Sequence, residues 1–401
     1  MKKLMILGGS RYILPIIRAA HELGLYVITC DYLPENIAHR YSDEYCNVSI
    51  IEKDKVLDAA RRRNVDGIMS FACDPGVETA AYVAEKMGLP SCGSYESVCI
   101  LQDKEKFRSF LKEHGFNVPK AKGYVAVNDA MKDINDFRWP VIVKPADSAG
   151  SKGVTRIDRP EELQRAAEYA IGFSKTRRFI VEEFIEKKGN SSDSDCFSVD
   201  GKLVYTSFSN QFFDDTAENP YTPAGYSWPS DMSEEGQRIL RSELQRLITL
   251  LHLGTSIYNI ETREGTDGKP YIMEVSPRGG GNRLSEMLDF ATGTELIKNT
   301  VRAAIGDPVV GIDHDPIYNG YWAIVILHAD SDGAFSHLWL APAFEAENVV
   351  EKDIWIEKGT PVHAFTGANE TIGTLVIRFE TQEQLREIMN NIDRYVKVIV
   401  K

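Results

Sequence analysis

Short apolar runs alternate with longer segments of helical spacing along the first hundred residues. Strands that alternate with helices are typical of a parallel α/β sheet. The pattern therefore predicts an amino-terminal α/β domain. Its predicted strands are residues 4–7, 26–30, 47–50 and 67–70, and its predicted helices are residues 13–23 and 77–87.

The pattern changes near residues 90–99, and a second set of elements follows. Residues 187–195 are polar and predict a turn region, whereas residues 199–207 predict a hairpin about Asp200-Gly201. Residues 212–229 contain three prolines and no periodicity, which predicts a long functional or disordered loop. The remaining predicted helices are 104–114, 161–171 and 234–251, and the strands are 140–144, 178–185, 256–262 and 271–276.

The last eighty or so residues predict an added α+β lobe. Its predicted strands are residues 321–327, 355–356 and 374–379, and its predicted helix is residues 383–392.

Composition narrows the class of protein. Hydrophobic residues make up 43% of the 401 residues and charged residues 26%, as in ordinary globular proteins. The net charge of −13 argues against nucleic acid or an anionic membrane as a partner, because neither attracts excess carboxylate. A nucleotide is not excluded, because it needs only a few well-placed cations.

The six cysteines lack CxxC pairing and predict reduced thiols rather than disulfides or a zinc site. The first apolar run is too short for a signal peptide, and no apolar stretch reaches about 18 residues. These features predict a cytoplasmic protein without a membrane span.

Two glutamates on neighbouring predicted strands form the strongest chemical signal. Alternate residues of a strand share one face, so a hairpin brings Glu261 and Glu274 side by side. Facing carboxylates repel unless a cation lies between them, and Mg²⁺ prefers such oxygen ligands. The alternative is an exposed sheet face with a surface ion pair. The residues on these two faces are Asn259, Glu261 and Arg263, and Glu274, Ser276 and Arg278.

Two further segments suggest a nucleotide site. The strand ending at Lys144 precedes a loop of small residues at 147–153, which offers an ammonium group and unhindered N–H groups to phosphate. It is not a Walker A loop, and an ordinary turn is the alternative. Residues 180–185 form an acidic, apolar strand whose backbone could meet adenine, or which is simply an edge strand.

The turn Gly8-Gly9-Ser10-Arg11 closes the first strand at a position suited to anion binding. It does not follow the GxGxxG pattern, so NAD binding is weakly supported. A tight turn that makes or lines a substrate pocket is the favoured interpretation.

Taken in order, these segments resemble the ATP-grasp superfamily over roughly residues 1–300. The similarity is closest to carbamoyl-phosphate-synthase-like ATP-grasp proteins and L-amino-acid ligases. The resemblance implies an α/β and α+β fold in four parts. These are a parallel α/β pre-ATP-grasp domain at 1–97, an amino-terminal lobe with a lid loop at 98–180, a carboxy-terminal lobe at 181–312 and an α+β extension at 313–401.

The resemblance also implies roles for individual residues. Lys104 and Lys144 would bind the ATP phosphates beneath a lid that contains Ser148, Gly150, Ser151 and Gly153. The adenine would meet Glu182, Glu183, Phe184 and Ile185, and the ribose would meet Asp195. The metal ligands would be Glu261, Glu274 and Ser276, although the family usually has asparagine at position 276. Arg278 would stabilise the transition state, with Lys144 assisting, and Arg278, Gly280, Asn282 and Arg283 would meet the acceptor.

The implied activity is an ATP-dependent carboxylate–amine or carboxylate–thiol ligase that forms an acyl phosphate and releases ADP and phosphate. ATP and one or two Mg²⁺ ions, or Mn²⁺, would be the cofactors, small carboxylates and amines the substrates, and a homodimer the assembly. The aromatic residues of the 212–229 segment are expected to pack between lobes rather than line the substrate pocket.

Three alternatives remain open. The acid could be bicarbonate, as in carboxylases and carbamoyl-phosphate synthesis. The chain could be a non-catalytic ATP-binding paralogue, for which Ser276 is the only indication. The chain could also be a Rossmann-type oxidoreductase. Only the Gly8-Gly9 turn supports this interpretation, which assigns no role to Glu261 and Glu274.

Overall fold

The computed structural model describes residues 1–148 and 150–401. Its amino-terminal elements are β1 (Lys3–Leu7), α1 (Leu14–Glu22), β2 (Tyr26–Asp31), β3 (Glu44–Asn47), α2 (Lys53–Arg63), β4 (Gly67–Ser70) and α3 (Val77–Met87). The four strands pair in parallel in the order β3–β2–β1–β4, which confirms the predicted sheet. The third strand ends at Asn47 rather than residue 50, because the Val48 N–H turns back to the Cys46 carbonyl.

A second, antiparallel sheet follows two linking helices. Its strand order is β5–β8–β6–β7, and the buried face of α7 packs against it. The elements of this lobe are α4 (Tyr95–Gln102), α5 (Lys104–Glu113), β5 (Ala121–Tyr124), α6 (Val127–Asp133), β6 (Val141–Pro145), β7 (Thr155–Ile157), α7 (Leu163–Phe173) and β8 (Phe179–Glu183).

The third sheet has the order β10–β9–β13–β14 and is also antiparallel. Its elements, with those that follow in the chain, are β9 (Ser192–Val199), β10 (Lys202–Thr206), β11 (Asn210–Phe213), β12 (Pro223–Trp228), α8 (Glu234–Leu250), β13 (Ser256–Glu264), β14 (Pro270–Ser276), α9 (Leu284–Thr292) and α10 (Leu296–Ala304). The predicted turn region at 187–195 is wrong from Ser192 onward. Strand β9 was hidden because its buried residues include Ser192, Ser194 and Asp195, which give a polar pattern.

The carboxy-terminal lobe shares a sheet with the middle of the chain. The strand order β11–β12–β15–β19–β17 joins residues 210–228 to strands beyond residue 320, and β18–β16–β20 form a smaller sheet. The elements are β15 (Tyr321–Leu327), β16 (Gly333–Leu340), α11 (Pro342–Asn348), β17 (Val349–Ile354), β18 (Pro361–Val362), β19 (Gly373–Phe379), α12 (Gln382–Met389) and β20 (Val396–Val400).

Two predictions for this region need correction. The predicted loop at 212–229 contains β12 and the end of β11, and only residues 214–222 connect them. Pro223 is tolerated because it is the first residue of its strand, where a missing N–H costs least. The strand predicted at 355–356 lies instead at Val349–Ile354, where it pairs with β19.

One apolar cluster joins the third sheet, α9 and the carboxy-terminal lobe. Phe197 of β9, Trp228 of β12 and Ile324 of β15 are all fully buried in it. The carboxy-terminal lobe therefore packs on a common core rather than hanging from a linker. Among the described residues, no helix combines the length and apolar character needed to cross a membrane.

The close contact between β4 and α10 makes a stability prediction. A Cβ atom at Gly67 would lie 2.2 Å from the Ala304 carbonyl oxygen, so Gly67→Ala must push α10 away from the sheet. Overpacking of this kind costs about 1–3 kcal/mol of unfolding free energy, and thermal denaturation should show a lower midpoint.

Gly172→Ala is the matched control. Gly172 lies in α7 with no atom within 4 Å of its would-be Cβ, and alanine favours helix, so this variant should melt at or above the wild-type temperature. Equal melting temperatures for Gly67→Ala and wild type would contradict the described contact.

Candidate active site

A cavity of about 340 Å³ lies between the second and third sheets and receives residues from both. It brings together most of the residues singled out from the sequence. Those that line it are Lys104, Lys144, Ser148, Gly150, Ser151, Glu182, Glu183, Phe184, Glu261, Glu274, Arg278 and Asn282. Gly153, Ile185, Asp195, Ser276, Gly280 and Arg283 are not among the lining residues.

Two lysines enter the cavity from different elements. Lys104 is the first residue of α5, whose amino terminus is capped by the Asp103 carboxylate. Its Nζ donates to the Ser148 carbonyl at 2.8 Å and lies 3.6 Å from a Glu274 carboxylate oxygen. Burial lowers the pKa of Lys144 on β6, although Glu182 partly opposes the effect. Two ammonium groups in one buried cavity repel each other, and an anion bound there would relieve that repulsion.

The Glu182 side chain on β8 is bound by protein cations, whereas the resemblance implied that it would contact adenine. Its two carboxylate oxygens accept hydrogen bonds from Arg108 Nε at 2.5 Å and Lys144 Nζ at 3.0 Å. Burial opposes ionisation of this carboxyl, but the charges of Arg108 and Lys144 outweigh it and lower the pKa of Glu182 to about 2. Glu182 therefore holds a buried carboxylate that orients Lys144 in the cavity.

The segment predicted to meet adenine leaves β8 at the cavity edge. The N–H groups of Glu183 and Phe184 already donate to the carbonyls of Lys120 and Pro140. Within the described chain, the N–H of Ile185 has no hydrogen-bond partner, whereas its carbonyl accepts from Arg263. The Ile185 side chain is buried, and the residue is not among those that line the cavity.

Glu261 and Glu274 face each other directly across β13 and β14. This register confirms the predicted juxtaposition of the two carboxylates. Burial raises the pKa of Glu261, and Glu274 adds to the rise while Arg263 opposes it. Each carboxylate also has a distant cation partner, Arg263 at 4.0 Å from Glu261 and Lys104 at 3.6 Å from Glu274.

Arg278 is held at the cavity by Asp74, which lies in the turn after β4 of the amino-terminal sheet. Its Nε and Nη2 donate to the two Asp74 carboxylate oxygens at 2.9 and 2.7 Å, and its Nη1 donates to Asn259 Oδ1 at 2.9 Å. Burial disfavours a charged Asp74, but the Arg278 guanidinium outweighs this and lowers the pKa of Asp74. This two-pronged contact fixes the direction of the guanidinium.

Ser276 does not point into the cavity. Its hydroxyl donates to Asp74 Oδ1 at 2.9 Å and accepts from Gln102 Nε2 at 3.0 Å, and the residue is buried. The predicted metal-ligand role is therefore corrected: Ser276 supports the Asp74 carboxylate that holds Arg278.

The acid expected at Asp195 also needs correction. Asp195 is fully buried behind the cavity, where its carboxylate accepts from the Gly280 N–H at 2.8 Å and from the Ser285 hydroxyl. Asp193, two residues earlier on β9, lines the cavity instead. Burial and the neighbouring Glu261 raise the pKa of Asp193 to about 7.

Neighbouring residues of the turn after β14 have different surroundings. A Cβ at Gly280 would lie 2.5 Å from Leu284, so the turn requires glycine there. Asn282 lines the cavity, whereas Arg283 turns away from it. The Arg283 guanidinium hydrogen-bonds Glu286, Glu351 and Thr374, which corrects its predicted role as an available carboxylate clamp.

The predicted lid loop contacts the connection between β11 and β12. Ala149 lies outside the described residues. The Ser151 hydroxyl donates to the Tyr221 carbonyl at 2.8 Å, and the Asn219 amide donates to the Ser151 carbonyl at 3.3 Å. Gly153 packs beneath the loop with a positive φ of 73°, which favours glycine.

The aromatic residues of the neighbouring segment divide between two roles. Phe213, Tyr221 and Tyr226 line the cavity, whereas Trp228 is fully buried in the core. The predicted packing role therefore applies to only part of this group.

Comparison with known proteins identifies the domain that contains the cavity. Residues 101–282 match the family model described as the ATP-grasp domain. This chain contains an ATP-grasp domain. Members of this family are ATP-dependent ligases.

The carbamoyl phosphate synthase large chain of Thermotoga neapolitana is 27% identical over 292 residues, which cover 72% of this chain and 26% of that protein. The chain thus spans about a quarter of the length of the curated relatives it matches.

Solved structures resemble the whole chain in fold. The L-amino acid ligase from Bacillus licheniformis has a TM-score of 0.81 at 19% identity and covers 100% of this chain and 99% of its own. The biotin carboxylase domain of the Hydrogenobacter thermophilus 2-oxoglutarate carboxylase, solved with MgADP, ADP and bicarbonate, has a TM-score of 0.74 at 18% identity and covers 100% and 91%. These neighbours show that the ATP-grasp fold extends over the chain.

The site predicted from the sequence did not include three residues that the structure places at or beside the cavity, namely Asp74, Arg108 and Asp193. Asp74 follows β4, and ligands of parallel sheets lie at the carboxyl ends of strands, so its position carried a usable signal. Arg108 lies four residues after Lys104 on one helix, which places both on the same face. Asp193 could have been found only by recognising β9.

The buried ion pair of Glu182 predicts a pH-dependent loss of stability. Glu182→Gln leaves Arg108 and Lys144 short of a counter-charge, which costs about 3–5 kcal/mol. The folded-state pKa of about 2 lies below the ordinary value of 4.5, so the wild-type stabilisation is present above pH 4.5 and lost as pH falls toward 2. Urea denaturation at several pH values should show the difference between variant and wild type shrinking below pH 4.5.

Glu243→Gln is the control, because Glu243 pairs with Arg246 on the partly exposed face of α8. Its effect should stay within about 1 kcal/mol. A difference between Glu182→Gln and wild type that is constant from pH 7 to pH 3 would contradict the assigned ion pair.

Proposed function

We propose that this chain is a ligase that uses Mg-ATP to convert a carboxylate into an acyl phosphate and transfers the acyl group to an amine or thiol. The observation that carries the proposal is a single cavity with two ammonium groups and two facing carboxylates. These are Lys104 and Lys144, and Glu261 and Glu274. The first pair suits phosphate oxygens and the second suits a divalent cation that phosphate shares.

The nucleotide would lie along this cavity. Its phosphates would meet Lys104 and Lys144 beneath the 148–153 loop, and its adenine would meet the backbone at Glu183–Ile185. The N–H of Ile185, which has no partner among the described residues, would donate to adenine. Asp193 replaces Asp195 as the proposed ribose ligand, because only Asp193 lines the cavity.

The chemistry of the donor set fits one Mg²⁺ or Mn²⁺ ion. Glu261 and Glu274 offer hard oxygen ligands in register. Burial, and to a lesser extent Glu274, raises the pKa of Glu261, and a divalent cation bound there would favour its charged form. When bound, the ion would offset negative charge on the phosphate oxygens. Ser276 leaves the proposed ligand set because its hydroxyl already bonds Asp74 and Gln102.

Two transfers complete the reaction. A carboxylate oxygen bonds to the γ-phosphorus while the bond from that phosphorus to the bridging oxygen breaks, and ADP leaves. The nucleophile then bonds to the acyl carbon, the carbon–oxygen bond to phosphate breaks, and the nucleophile's proton passes to solvent or to the released phosphate. Arg278, held by Asp74, would stabilise charge on the transferred phosphoryl group. The loop at 148–153 would exclude water that hydrolyses the intermediate.

Bicarbonate as the activated acid is the second candidate. The carbamoyl phosphate synthase relative and the carboxylase structure solved with bicarbonate favour it. The alternative of a non-catalytic paralogue keeps its one indication, because the Ser276 hydroxyl bonds Asp74 and Gln102 and adds no ligand to the proposed metal site.

The metal assignment predicts the behaviour of Glu274→Gln. The change keeps the shape of the side chain but removes the charge that faces Glu261, so phosphate release should fall at least about 100-fold. Release from Mg-ATP would be measured across pooled amino acids and small carboxylic acids, with bicarbonate included. ADP binding by calorimetry should lose its dependence on Mg²⁺ while the melting temperature stays near wild type.

Glu235→Gln is the control, because Glu235 lies on the exposed face of α8, paired with Arg238. Wild-type turnover in Glu274→Gln would overturn the metal assignment. Phosphate release with particular acid and amine pairs would identify the substrates, whereas release that requires bicarbonate would favour the second candidate.

A further inference from the structure

A second cavity of about 480 Å³ adjoins the first on the side of the amino-terminal domain. It is formed by the turn after β1, by α1, by α9 and by the segment after β17. Its contributing surfaces therefore come from three parts of the chain, and the carboxy-terminal lobe provides one of them.

The two cavities share one lining residue. Tyr12 lines both of them, and its hydroxyl donates to Asn282 Oδ1 at 3.2 Å. Trp355 lies edge-on to the Tyr12 ring, with ring centroids 5.7 Å apart. A molecule held in the second cavity would thus have its near end beside Asn282, which also lines the first.

The cations of the second cavity differ in their pairing. Arg283 is already matched by Glu286 and Glu351. Among the residues that the structure describes, neither Arg11 nor Arg18 forms an ion pair with a carboxylate. The helical neighbour available to Arg18, Glu22 four residues later, pairs with Lys298 at 3.0 Å instead.

The two unmatched arginines are held in different ways. The Arg11 guanidinium lies over the Trp355 ring, 5.5 Å from its centroid, and this contact leaves its N–H groups available at the cavity. Arg18 is an exposed residue of α1 that also lines the cavity. A guanidinium group binds carboxylate or phosphate through two parallel hydrogen bonds. These two guanidinium groups therefore make the cavity suited to an anionic group.

Carboxylates also line the second cavity. Asp353 accepts from the Trp355 indole at 2.8 Å and, within the described chain, has no cation as a partner. Glu286 and Glu351 also line this cavity around Arg283. A protonated amine is favoured among these groups, whereas a ligand with only negative charge is not.

We propose that the second cavity binds the nucleophile, and that this nucleophile is an amine that also carries a carboxylate or a phosphate. Arg11 and Arg18 bind the anionic group, and the amine end lies toward Tyr12 and Asn282. The inference rests on the proposed ligase function and narrows its second substrate. Activation of the acid in the first cavity would then occur on the other side of Tyr12 from the binding of the amine.

Direct binding to the full-length protein tests this inference without knowledge of the acid. The probes are β-alanine, an amine with a carboxylate, phosphoethanolamine, an amine with a phosphate, and ethanolamine, an amine alone. Titration calorimetry should detect at least one of the two anionic amines, with ethanolamine at least about tenfold weaker. The stronger of the two anionic probes identifies the anion as carboxylate or phosphate.

The variant Arg11→Gln/Arg18→Gln should weaken binding of the anionic amine at least about tenfold and leave MgADP affinity unchanged. Arg62→Gln is the control, because Arg62 is an exposed arginine on α2 away from both cavities. Equal binding of ethanolamine, unchanged affinity in the double variant, or no binding of either anionic amine while MgADP binds would overturn this inference alone. Failure of MgADP to bind wild-type protein would instead overturn the proposed ligase function.

Discussion

The contact between Arg278 and Asp74 joins the turn after β14 to the segment after β4 of the amino-terminal sheet. A guanidinium at the end of β14 would point in many directions if it were held only by its own strand. Here Asp74 accepts from Arg278 through both carboxylate oxygens. The Ser276 hydroxyl also donates to that carboxylate, and Gln102 in turn donates to Ser276. The orientation of Arg278 at the ATP-grasp site therefore depends on how the amino-terminal domain docks, and neither unit alone defines it.

Charge balance distinguishes the supporting groups from the groups that would meet ligands. Glu182 is matched by Arg108 and Lys144, so its charge is settled within the protein. Glu261 and Asp193 are half-buried, and burial raises the pKa of both. Among the described residues, Glu261 has only Arg263 as a paired cation, at 4.0 Å, and Asp193 has none. Removing charged groups from water costs free energy that only a partner can offset. Such imbalance is expected where a cation or a nucleotide completes the site.

Features that depend on local period were accessible from the sequence, and features that depend on distant partners were not. The alternation along β13 and β14 predicted the pairing of Glu261 with Glu274, which the register confirms. The hydrogen bond from Arg283 to Glu351 could not be predicted, because the two residues are 68 positions apart and lie in different elements. Strand β9 was missed for a third reason, since its buried residues include serines and an aspartate. Their side chains hydrogen-bond partners in other segments, namely Ser207, Tyr258 and Ser285.

The shared sheet of β11, β12 and β15 bears on how this architecture can be taken apart. Strand β12 has one neighbour from the middle of the chain and one from beyond residue 320. A chain cut near residue 312 would leave β12 with an unpaired edge, and the segment that contacts Ser151 would lose its anchorage. The carboxy-terminal lobe therefore cannot be replaced independently of the strands with which it pairs. Recombination between relatives would have to transfer residues 210–228 along with it to yield a foldable chimera.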